Sequence, residues 1–328
     1  MSAGRSGRPV VVVTRRLPDP VEEQVSREYD ARLNPADRPL SAAELADALR
    51  GADALLPTVT DRLTADVLAA EPLRARIIAN YGVGFNHIDT ASAKARGLVV
   101  TNTPDVLTDD TADDAIMLML MVARRGGEGD RYVRAGAWTG WRPTHMLGTR
   151  VSGKTLGLVG LGRIGRAVAH RAHHGFGMRV IFHDPYPPPA AVVSALGAEP
   201  KGSVDDVLRE ADFVSLHSPA TPETRHLIDA RRLALMKQGA FLINNARGDI
   251  VDEAALVVAL KQGTIAGAGL DVFEREPAVT PDLLTMDNVV LLPHLGSATH
   301  ETRVAMGLRA LDNLKAFFAG APPRDRVA

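Results

Sequence analysis

The sequence predicts an α/β protein with two doubly wound parallel sheets, and three observations lead to that class. Short β-branched runs alternate with helix-length amphipathic segments along the chain, an alternation that gives parallel strands joined by crossover helices. The runs fall into two series, one on each side of a long apolar helix over residues 108–125. The chain has 328 residues, which exceeds a typical single hydrophobic core and favours two domains.

The first series is predicted from short apolar runs. Residues 10–14 form a buried strand, and residues 20–28 form the helix that follows it. Ser41 with Glu44 three positions later is a capping-box pattern, which predicts a helix over residues 41–50. Further short strands are expected at residues 54–56, 77–79 and 98–100.

The second series begins at Lys154 and contains six strand candidates, the number found in a complete doubly wound nucleotide-binding sheet. They are residues 156–159, 180–183, 213–216, 241–244, 267–270 and 289–291. A last amphipathic helix, residues 301–319, follows the sixth strand. It could pack back on the first series, and the first domain would then be discontinuous.

Composition excludes several classes of protein. Apolar residues make up 45% and charged residues 23% of the chain, as in ordinary globular proteins. The net charge of -1 argues against a nucleic-acid or anionic-membrane partner. The chain has no cysteine, which excludes disulfides, thiol catalysis and cysteine-ligated metals and fits a reducing cytoplasm. The longest helical apolar stretch, 115–123, is far shorter than the roughly 20 residues of a membrane span, so we expect a soluble protein.

The most specific local pattern is GLGRIG, which begins at Gly160 directly after the strand 156–159 and opens a helix predicted over 163–174. Gly160 permits a tight turn, Gly162 lets the backbone approach a pyrophosphate, and the glycine that ends the motif, at 165, lets the helix pack close to the sheet. The N–H groups and dipole of the helix favour the phosphates. The pattern therefore predicts a dinucleotide-binding domain of the Rossmann type.

Asp184 indicates which dinucleotide is bound. It ends the strand 180–183 and stands 19 positions after Gly165. A carboxylate there accepts hydrogen bonds from both ribose hydroxyls of adenosine and repels a 2′-phosphate. Pro185 follows, so no Arg immediately after the aspartate would neutralise such a phosphate. We therefore expect NAD, with NADP less favoured.

Three reactive side chains each follow a strand of the second series: Arg247, Glu276 and His294. The carboxyl ends of strands in an open parallel sheet face the ligand crevice, so the three are expected to converge there. The planar guanidinium group of an Arg can donate hydrogen bonds to the carboxylate and the carbonyl oxygen of a 2-oxo acid at the same time. Histidine suits a group that donates a proton in reduction and accepts one in oxidation, and a nearby carboxylate would stabilise its imidazolium.

Each of these residues also has a structural interpretation. A strand-end Arg is often a surface ion-pair partner, a Glu before Pro is often solvated, and a single His is often structural. The occurrence of all three downstream of a dinucleotide motif favours the functional interpretation.

Several segments together give the chain a family resemblance. They are NYGVGFNHID at 80–89, TNTP at 101–104, GLGRIG at 160–165, NARG at 245–248 with VDE at 251–253, GLDVF at 269–273 and PHLGSAT at 293–299. The chain resembles the D-isomer-specific 2-hydroxyacid dehydrogenases, and among them the glyoxylate/hydroxypyruvate reductases, including those that also take 2-ketogluconate. The resemblance implies NAD(H)-dependent reduction of small 2-oxo acids to D-2-hydroxy acids.

The resemblance also implies roles for individual residues. Arg247 binds substrate, His294 is the acid/base and also contacts substrate, Glu276 is the partner of His294, and Asp271 holds the nicotinamide carboxamide. The backbone N–H groups of Val83 and Gly84 would bind the substrate carboxylate. The remaining positions implied to lie near the cofactor are Thr111, Arg163, Ile164, Thr224 and Ala246.

The family fold implies a flavodoxin-like substrate domain made of residues 1–103 and 293–328, a Rossmann domain over 104–292, and a homodimer built through residues 108–150. Two positions depart from the closest subgroup. Many of its reductases carry Arg or Ser in place of Asp184 and prefer NADP. Asn86 and His87 lie where the family varies, and we interpret His87 as a packing residue.

Other interpretations stay open. The same resemblance extends to phosphoglycerate, phosphite and formate dehydrogenases, and to NAD-sensing corepressors.

Adjacent helical His173 and His174 point in different directions, so no metal site is expected. Trp138 and Trp141 are expected to anchor the dimer interface, with covering of the partner's active site as the alternative.

Overall fold

The structure is a computed structural model that describes residues 7–328. Its contacts divide the chain into two compact units. The first unit contains the chain up to Leu107 together with Ala298–Ala328, and the second is Thr108–Ser297. The boundaries expected from sequence, at 103/104 and 292/293, fall a few residues before these breaks, so His294 lies in the second unit.

The first unit alternates strands and helices and ends with a return helix. Its elements are β1 (Val10–Val13), α1 (Asp19–Glu28), β2 (Asp30–Arg32), α2 (Ala42–Gly51), β3 (Ala54–Leu56), α3 (Ala65–Leu68), β4 (Ile77–Ala79), α4 (Thr90–Ala95), β5 (Val99–Thr101) and, from the end of the chain, α12 (His300–Phe318). The capping box predicted at the start of α2 is confirmed, because the Ser41 hydroxyl accepts from the Glu44 N–H and the Glu44 carboxylate accepts from the Ser41 N–H.

The first sheet has the order β2-β1-β3-β4-β5, with all neighbouring strands parallel. Strand β2 was missing from the prediction, because Asp30–Arg32 is a three-residue edge strand without an apolar run. Helix α12 packs against β4 and α1, with Phe318 against Tyr29 at 5.8 Å between ring centroids. The possibility that the last helix packs on the first series is thereby confirmed.

The second unit carries the larger sheet. Its elements are α5 (Thr108–Ala123), α6 (Gly126–Arg134), β6 (Thr155–Val159), α7 (Arg163–His170), β7 (Arg179–His183), α8 (Ala190–Ala195), β8 (Ala198–Pro200), α9 (Val204–Glu210), β9 (Phe213–Leu216), α10 (Ala230–Leu233), β10 (Phe241–Asn244), α11 (Glu253–Lys261), β11 (Gly267–Leu270) and β12 (Val289–Leu291).

This sheet has seven parallel strands in the order β12-β11-β10-β9-β6-β7-β8. The prediction of six strands was wrong, because it missed β8. This strand lies at the edge of the sheet, has three residues that end at Pro200, and only Ala198 among them is buried. The fold class itself, α/β with two parallel sheets, is confirmed. Strand β6 lies in the middle of the order, and the chain turns to opposite sides of it, which is the topological switch that forms a ligand crevice.

One long helix ends earlier than predicted, and another changes its helical form near its predicted end. The long apolar helix α5 ends at Ala123, and Arg125 has a left-handed φ of 54° that separates it from α6. The helix after GLGRIG is α-helical to His170 and continues as a π-helical turn over Arg171–Gly175. Among the residues that the structure describes, no helix is long and apolar enough to cross a membrane.

Candidate active site

The glycine motif forms a tight turn between β6 and α7. Gly160 has φ +98°, and a Cβ there would lie 2.8 Å from the His217 carbonyl oxygen. A Cβ on Gly165 would lie 2.4 Å from the Gly160 carbonyl oxygen, so the helix can approach the turn only without a side chain there. By contrast, Gly162 is exposed, with no heavy atom within 4 Å of its Cβ position. The open side of the turn, at the N-terminus of α7, fits an anionic group such as a pyrophosphate.

Asp184 supports the glycine turn from the end of the next strand. Its Oδ2 accepts a hydrogen bond of 2.7 Å from the Leu161 N–H, and its Oδ1 accepts one of 2.8 Å from the Tyr186 N–H. Each carboxylate oxygen can accept a further bond, so ribose hydroxyls can still be bound. The sequence indicated the ribose role but not this support of the backbone.

Glu276 and His294 form a hydrogen-bonded pair. His294 Nδ1 lies 2.9 Å from Glu276 Oε2, and Glu276 Oε1 accepts from the Phe273 N–H at 3.1 Å. Burial raises the pKa of Glu276, but the hydrogen bond and charge of His294, the Phe273 N–H and the charge of Arg247 outweigh burial and leave this pKa below its usual value. An ionised Glu276 accepts from Nδ1–H, which leaves His294 Nε2 as the nitrogen that can exchange a proton with a ligand.

Arg247 follows β10 in a tightly packed loop. Its guanidinium donates from Nη1 to the Ala246 carbonyl oxygen at 2.6 Å, and its own carbonyl oxygen accepts from Asn244 Nδ2 at 2.9 Å. Gly248 lets this loop approach the loop after β11, since a Cβ there would lie 1.9 Å from the Phe273 carbonyl carbon. Burial lowers the pKa of Arg247, while the charges of Glu276 and Asp249 oppose that effect. The structure thus brings Arg247, Glu276 and His294 into electrostatic contact within one unit.

Asp271 is fully buried at the end of β11 and holds the segment that carries His294. Its Oδ1 accepts from the Leu295 N–H at 2.6 Å and its Oδ2 from the Gly296 N–H at 2.9 Å. Burial raises the pKa of Asp271, and these two N–H groups work against the rise. Thr111 lies beside the same segment, because a Cβ on Gly296 would be 3.3 Å from Thr111 Cγ2.

In the first unit, the loop that contains Val83 and Gly84 is held by two amide side chains. Asn80 Nδ2 donates to the carbonyl oxygens of Gly82 and Gly84, at 3.0 Å each, and Asn102 Nδ2 donates to that of Val83 at 2.9 Å. The N–H of a trans peptide points away from its carbonyl. The N–H groups of Val83 and Gly84 therefore face away from the asparagines, as a loop that binds a carboxylate requires.

Comparisons with known proteins identify the family. The family model described as "D-isomer specific 2-hydroxyacid dehydrogenase, NAD binding domain" matches residues 116–296. A glyoxylate reductase of Thermococcus kodakarensis is 47% identical over 320 residues, which cover 96% of this chain and 95% of that protein. The chain belongs to the D-isomer-specific 2-hydroxyacid dehydrogenases.

Solved structures agree with this assignment. A D-isomer-specific 2-hydroxyacid dehydrogenase from a Polaromonas species has a TM-score of 0.91 at 38% identity, with 98% of this chain and 100% of that chain covered. An NADPH-dependent glyoxylate/hydroxypyruvate reductase of Sinorhizobium meliloti, solved with NADP and malonate, has a TM-score of 0.87 at 38% identity, with 98% and 97% covered. This dehydrogenase is accordingly an oxidoreductase, and its second unit contains the region matched as the NAD-binding domain.

The remaining predicted cofactor positions of this dehydrogenase lie in its second unit. Arg163 and Ile164 begin α7, and Ala246 lies in the loop after β10. Thr224 stabilises the loop after β9: its hydroxyl donates to the Pro219 carbonyl oxygen at 2.6 Å and accepts from the Thr221 N–H at 2.8 Å. The described residues contain no group of three or more metal-ligating side chains.

Sequence reasoning missed two buried residues of the dehydrogenase site, Asp114 and Asn245. Asn245 Nδ2 donates to the Thr111 carbonyl oxygen at 2.7 Å and to Asp114 Oδ2 at 3.1 Å. A signal was present, since Asp114 occupies a position three residues after Thr111 on the buried face of an apolar helix. His87, interpreted as a packing residue, bonds through Nε2 to Asn80 Oδ1 at 2.9 Å and so supports the loop at Val83.

Proposed function

We propose that this dehydrogenase uses NADH to reduce small 2-oxo acids, with glyoxylate and hydroxypyruvate as the leading substrates, to D-2-hydroxy acids. The observation that carries the proposal is the pair of Glu276 and His294, 2.9 Å apart, with the charge of Arg247 acting on the same carboxylate. Relatives called glyoxylate reductases support the substrate class, and the name of the family supports the D configuration.

The chain's own residues provide the acid–base chemistry. A bound NADH would supply the hydride that reaches the carbonyl carbon of the substrate. His294 donates the Nε2 proton to the carbonyl oxygen as negative charge develops there. Glu276 stabilises the imidazolium before the transfer. Arg247 binds the carbonyl oxygen and the adjacent carboxylate through its planar fork of donors.

Binding of the substrate carboxylate is assigned to Val83 and Gly84. Their N–H groups point away from the asparagines that hold the loop. Backbone N–H donors need no side-chain ordering at the moment of binding and stabilise an anion effectively. In the opposite direction of reaction, neutral His294 accepts the hydroxyl proton, and the same donors hold the same carboxylate.

The cofactor preference is proposed from Asp184. The turn around Gly160 and the open backbone at Gly162 fit a dinucleotide, and a carboxylate at Asp184 favours the two ribose hydroxyls of NAD. A 2′-phosphate there would meet a like charge. The S. meliloti relative is described as NADPH-dependent, so the family fold alone does not decide between NAD and NADP.

A homodimer is proposed through residues 108–150. Helix α6 has no buried residue among those described, and apolar side chains near it are exposed. They are Val133, Trp138, Trp141 and Leu147, with Trp141 82% exposed. Aromatic residues of this kind are enriched at protein interfaces. Light scattering coupled to size-exclusion chromatography, with Trp141→Glu for comparison, tests this assignment: a dimeric mass that falls in the variant supports it.

The test of the proposed function is NADH oxidation by the purified protein, followed by absorbance. The substrate panel contains glyoxylate, hydroxypyruvate, pyruvate and 2-ketogluconate, each measured with NADH and with NADPH. We expect turnover of glyoxylate or hydroxypyruvate and a higher kcat/KM with NADH. Absence of turnover on the whole panel would contradict the proposal and direct attention to phosphite, formate, 3-phosphoglycerate or a protein partner.

A further inference from the structure

A buried polar pair joins helix α5 to the loop that carries Arg247. Asp114 and Asn245 are only 5% and 7% exposed. Asn245 Nδ2 donates to Asp114 Oδ2 at 3.1 Å and to the Thr111 carbonyl oxygen at 2.7 Å. Both side-chain N–H groups of Asn245 therefore bond acceptors on α5. Since Asn245 lies two residues before Arg247, the pair ties the start of the loop that carries Arg247 to α5.

The same pair contains two buried oxygens without a donor. Within residues 7–328, Asp114 Oδ1 and Asn245 Oδ1 have no hydrogen-bond partner. Burying an acceptor without a partner costs about 1–3 kcal/mol, and an ionised carboxylate adds acceptors but no donor. One proton on Asp114 Oδ1 would supply a donor beside the Asn245 amide, whose N–H already bonds the other oxygen of that carboxyl.

We propose that Asp114 is a proton-dependent positioning residue for the active site. Its neutral carboxylic acid forms two hydrogen bonds with the Asn245 amide, one donated through Oδ1–H to Asn245 Oδ1 and one accepted at Oδ2 from Nδ2–H. The neutral pair fixes the loop of Arg247 against α5. Ionisation of Asp114 removes the donated bond and leaves two unpaired acceptors in the interior.

The charges around Asp114 favour its neutral form. Burial, followed by the charge of Asp271, raises the pKa of Asp114 to about 6, while the Asn245 hydrogen bond and the charge of His294 act against the rise. Asp271 already bonds the two backbone N–H groups nearest to it. A carboxylate charge on Asp114 is repelled by the charge of Asp271, and a proton on Asp114 removes that repulsion.

The functional consequence rests on the proposed reduction of 2-oxo acids. As pH rises through the titration of Asp114, the loop loses one of its bonds to α5, and Arg247 is held less firmly. Because Arg247 is assigned to bind the substrate, this loosening raises the KM for the 2-oxo acid. The kcat, which depends on proton transfer at His294, follows a separate pH dependence.

The first test measures stability as a function of pH in Asp114→Asn, which stays neutral and can both accept from and donate to the Asn245 amide. The folded-state pKa of Asp114 lies above the unfolded value of about 3.9, so ionisation costs stability in the wild type. Wild-type Tm should therefore fall relative to Asp114→Asn as pH rises from about 4 to about 6, and the difference should then stay level.

The matched control is Asp113→Asn, which removes the same charge from the neighbouring residue, whose side chain is 66% exposed. The wild-type Tm should not fall relative to Asp113→Asn over this pH range, because ionised Asp113 pairs with Arg171. A difference for Asp114→Asn that is flat with pH, or that grows as pH falls, would overturn the proposal. If Asp114→Asn does not fold, Asn245→Ala replaces it: its loss of Tm should be larger at pH 4, where the neutral acid makes two hydrogen bonds with the Asn245 amide, than at pH 7, where the carboxylate keeps one. A loss that is equal at the two pH values, or larger at pH 7, would also overturn the proposal.

The second test separates KM from kcat. The KM of the wild type for glyoxylate should rise across the window in which its Tm falls relative to Asp114→Asn, whereas the KM of the variant should not follow that rise. The kcat profiles of the two proteins should keep the same shape. Parallel KM profiles would overturn the positioning role. Absence of turnover in both proteins would refute the proposed function alone, because the stability test does not depend on catalysis.

Discussion

The backbone N–H of His294 donates a hydrogen bond of 2.9 Å to the carbonyl oxygen of Asp271. His294 has a φ of 56°, a left-handed conformation that costs a non-glycine residue about 1–2 kcal/mol. The carboxylate of Asp271 also accepts from the next two residues, at 2.6 and 2.9 Å. A buried side chain at the end of β11 therefore sets the direction of the imidazole at the end of β12.

Replacing Asp271 by Asn tests this support. In Asp271→Asn, an NH₂ group replaces one of the two carboxylate oxygens that accept from backbone N–H groups. An NH₂ group cannot accept such a bond, so at least one hydrogen bond is lost and His294 is released from its conformation. We expect kcat to fall roughly 10- to 100-fold, as small displacements of a catalytic group cause, together with a lower Tm. A variant with wild-type kcat and Tm would show that the segment is held by other contacts.

The effect of Glu276 should be visible in the pH profile. Its pKa lies below the usual value despite burial, so it is ionised near neutral pH and stabilises the charged imidazole. Glu276→Gln removes the charge that stabilises the imidazolium, and turnover in the reductive direction should fall more at pH 8 than at pH 6. Steady-state kcat measured across this range checks the expected shift.

Glu274→Gln is the matched control for that experiment. Glu274 lies two residues away and bonds His226 Nε2 at 3.0 Å. Its replacement should leave the shape of the kcat profile unchanged. Superimposable profiles for Glu276→Gln and the wild type would mean that the carboxylate does not act on proton transfer.

Asp184 should affect cofactor preference and stability together. Asp184→Ser removes the like charge that faces a 2′-phosphate and the acceptors of the Leu161 and Tyr186 N–H groups. We expect kcat/KM with NADH to fall about tenfold or more, the ratio of NADH to NADPH efficiency to decrease, and Tm to drop. Glu199→Gln, on the edge strand β8, should change none of these. An unchanged NADH/NADPH ratio in Asp184→Ser would exclude the assigned role.

A buried ion pair should stabilise the end of the first unit. Asp325, whose side chain is 4% exposed, accepts from Arg309 Nε at 2.5 Å, from Arg309 Nη2 at 2.8 Å and from Asn313 Nδ2 at 3.0 Å. Asp325→Ala leaves the Arg309 guanidinium without its paired carboxylate, while Asn313 Nδ2 keeps its bonds to the Asn102 and Arg309 carbonyl oxygens. We expect the free energy of unfolding to fall by about 3 kcal/mol.

Urea unfolding followed by circular dichroism measures that change. Asp130→Ala removes the exposed pair with Arg134 on α6, and we expect no measurable loss there because solvent screens such pairs. Equal losses in the two variants would contradict the stabilising role of the Asp325 cluster.

The parts of the fold that the sequence predicted are those with an apolar signal. Strands Ala54–Leu56, Phe213–Leu216 and Gly267–Leu270 have the bounds that their runs of buried residues predicted. Edge strands Asp30–Arg32 and Ala198–Pro200 were missed because each is three residues long and mostly faces solvent. Their pairing depends on the neighbouring strand rather than on their own residues.

The site was predictable where position along a strand decides the geometry. Arg247, Glu276 and His294 were named because each follows a strand, and parallel strands end at one edge of the sheet. Asp114 and Asn245 were not, because their contact depends on how helix α5 is rotated over β10. Side-chain hydrogen bonds across two elements leave only a weak trace in sequence, here a single buried-face aspartate in an apolar helix.

The most direct test of the catalytic assignment compares His294→Gln with the wild type in two measurements on the same samples. One is the turnover of glyoxylate with NADH, and the other is the affinity for NADH by fluorescence titration. If His294 donates the proton, turnover falls at least about 100-fold while NADH affinity stays within about twofold of the wild type. Turnover close to that of the wild type, with NADH still bound, would contradict the role of His294 and with it the proposed mechanism.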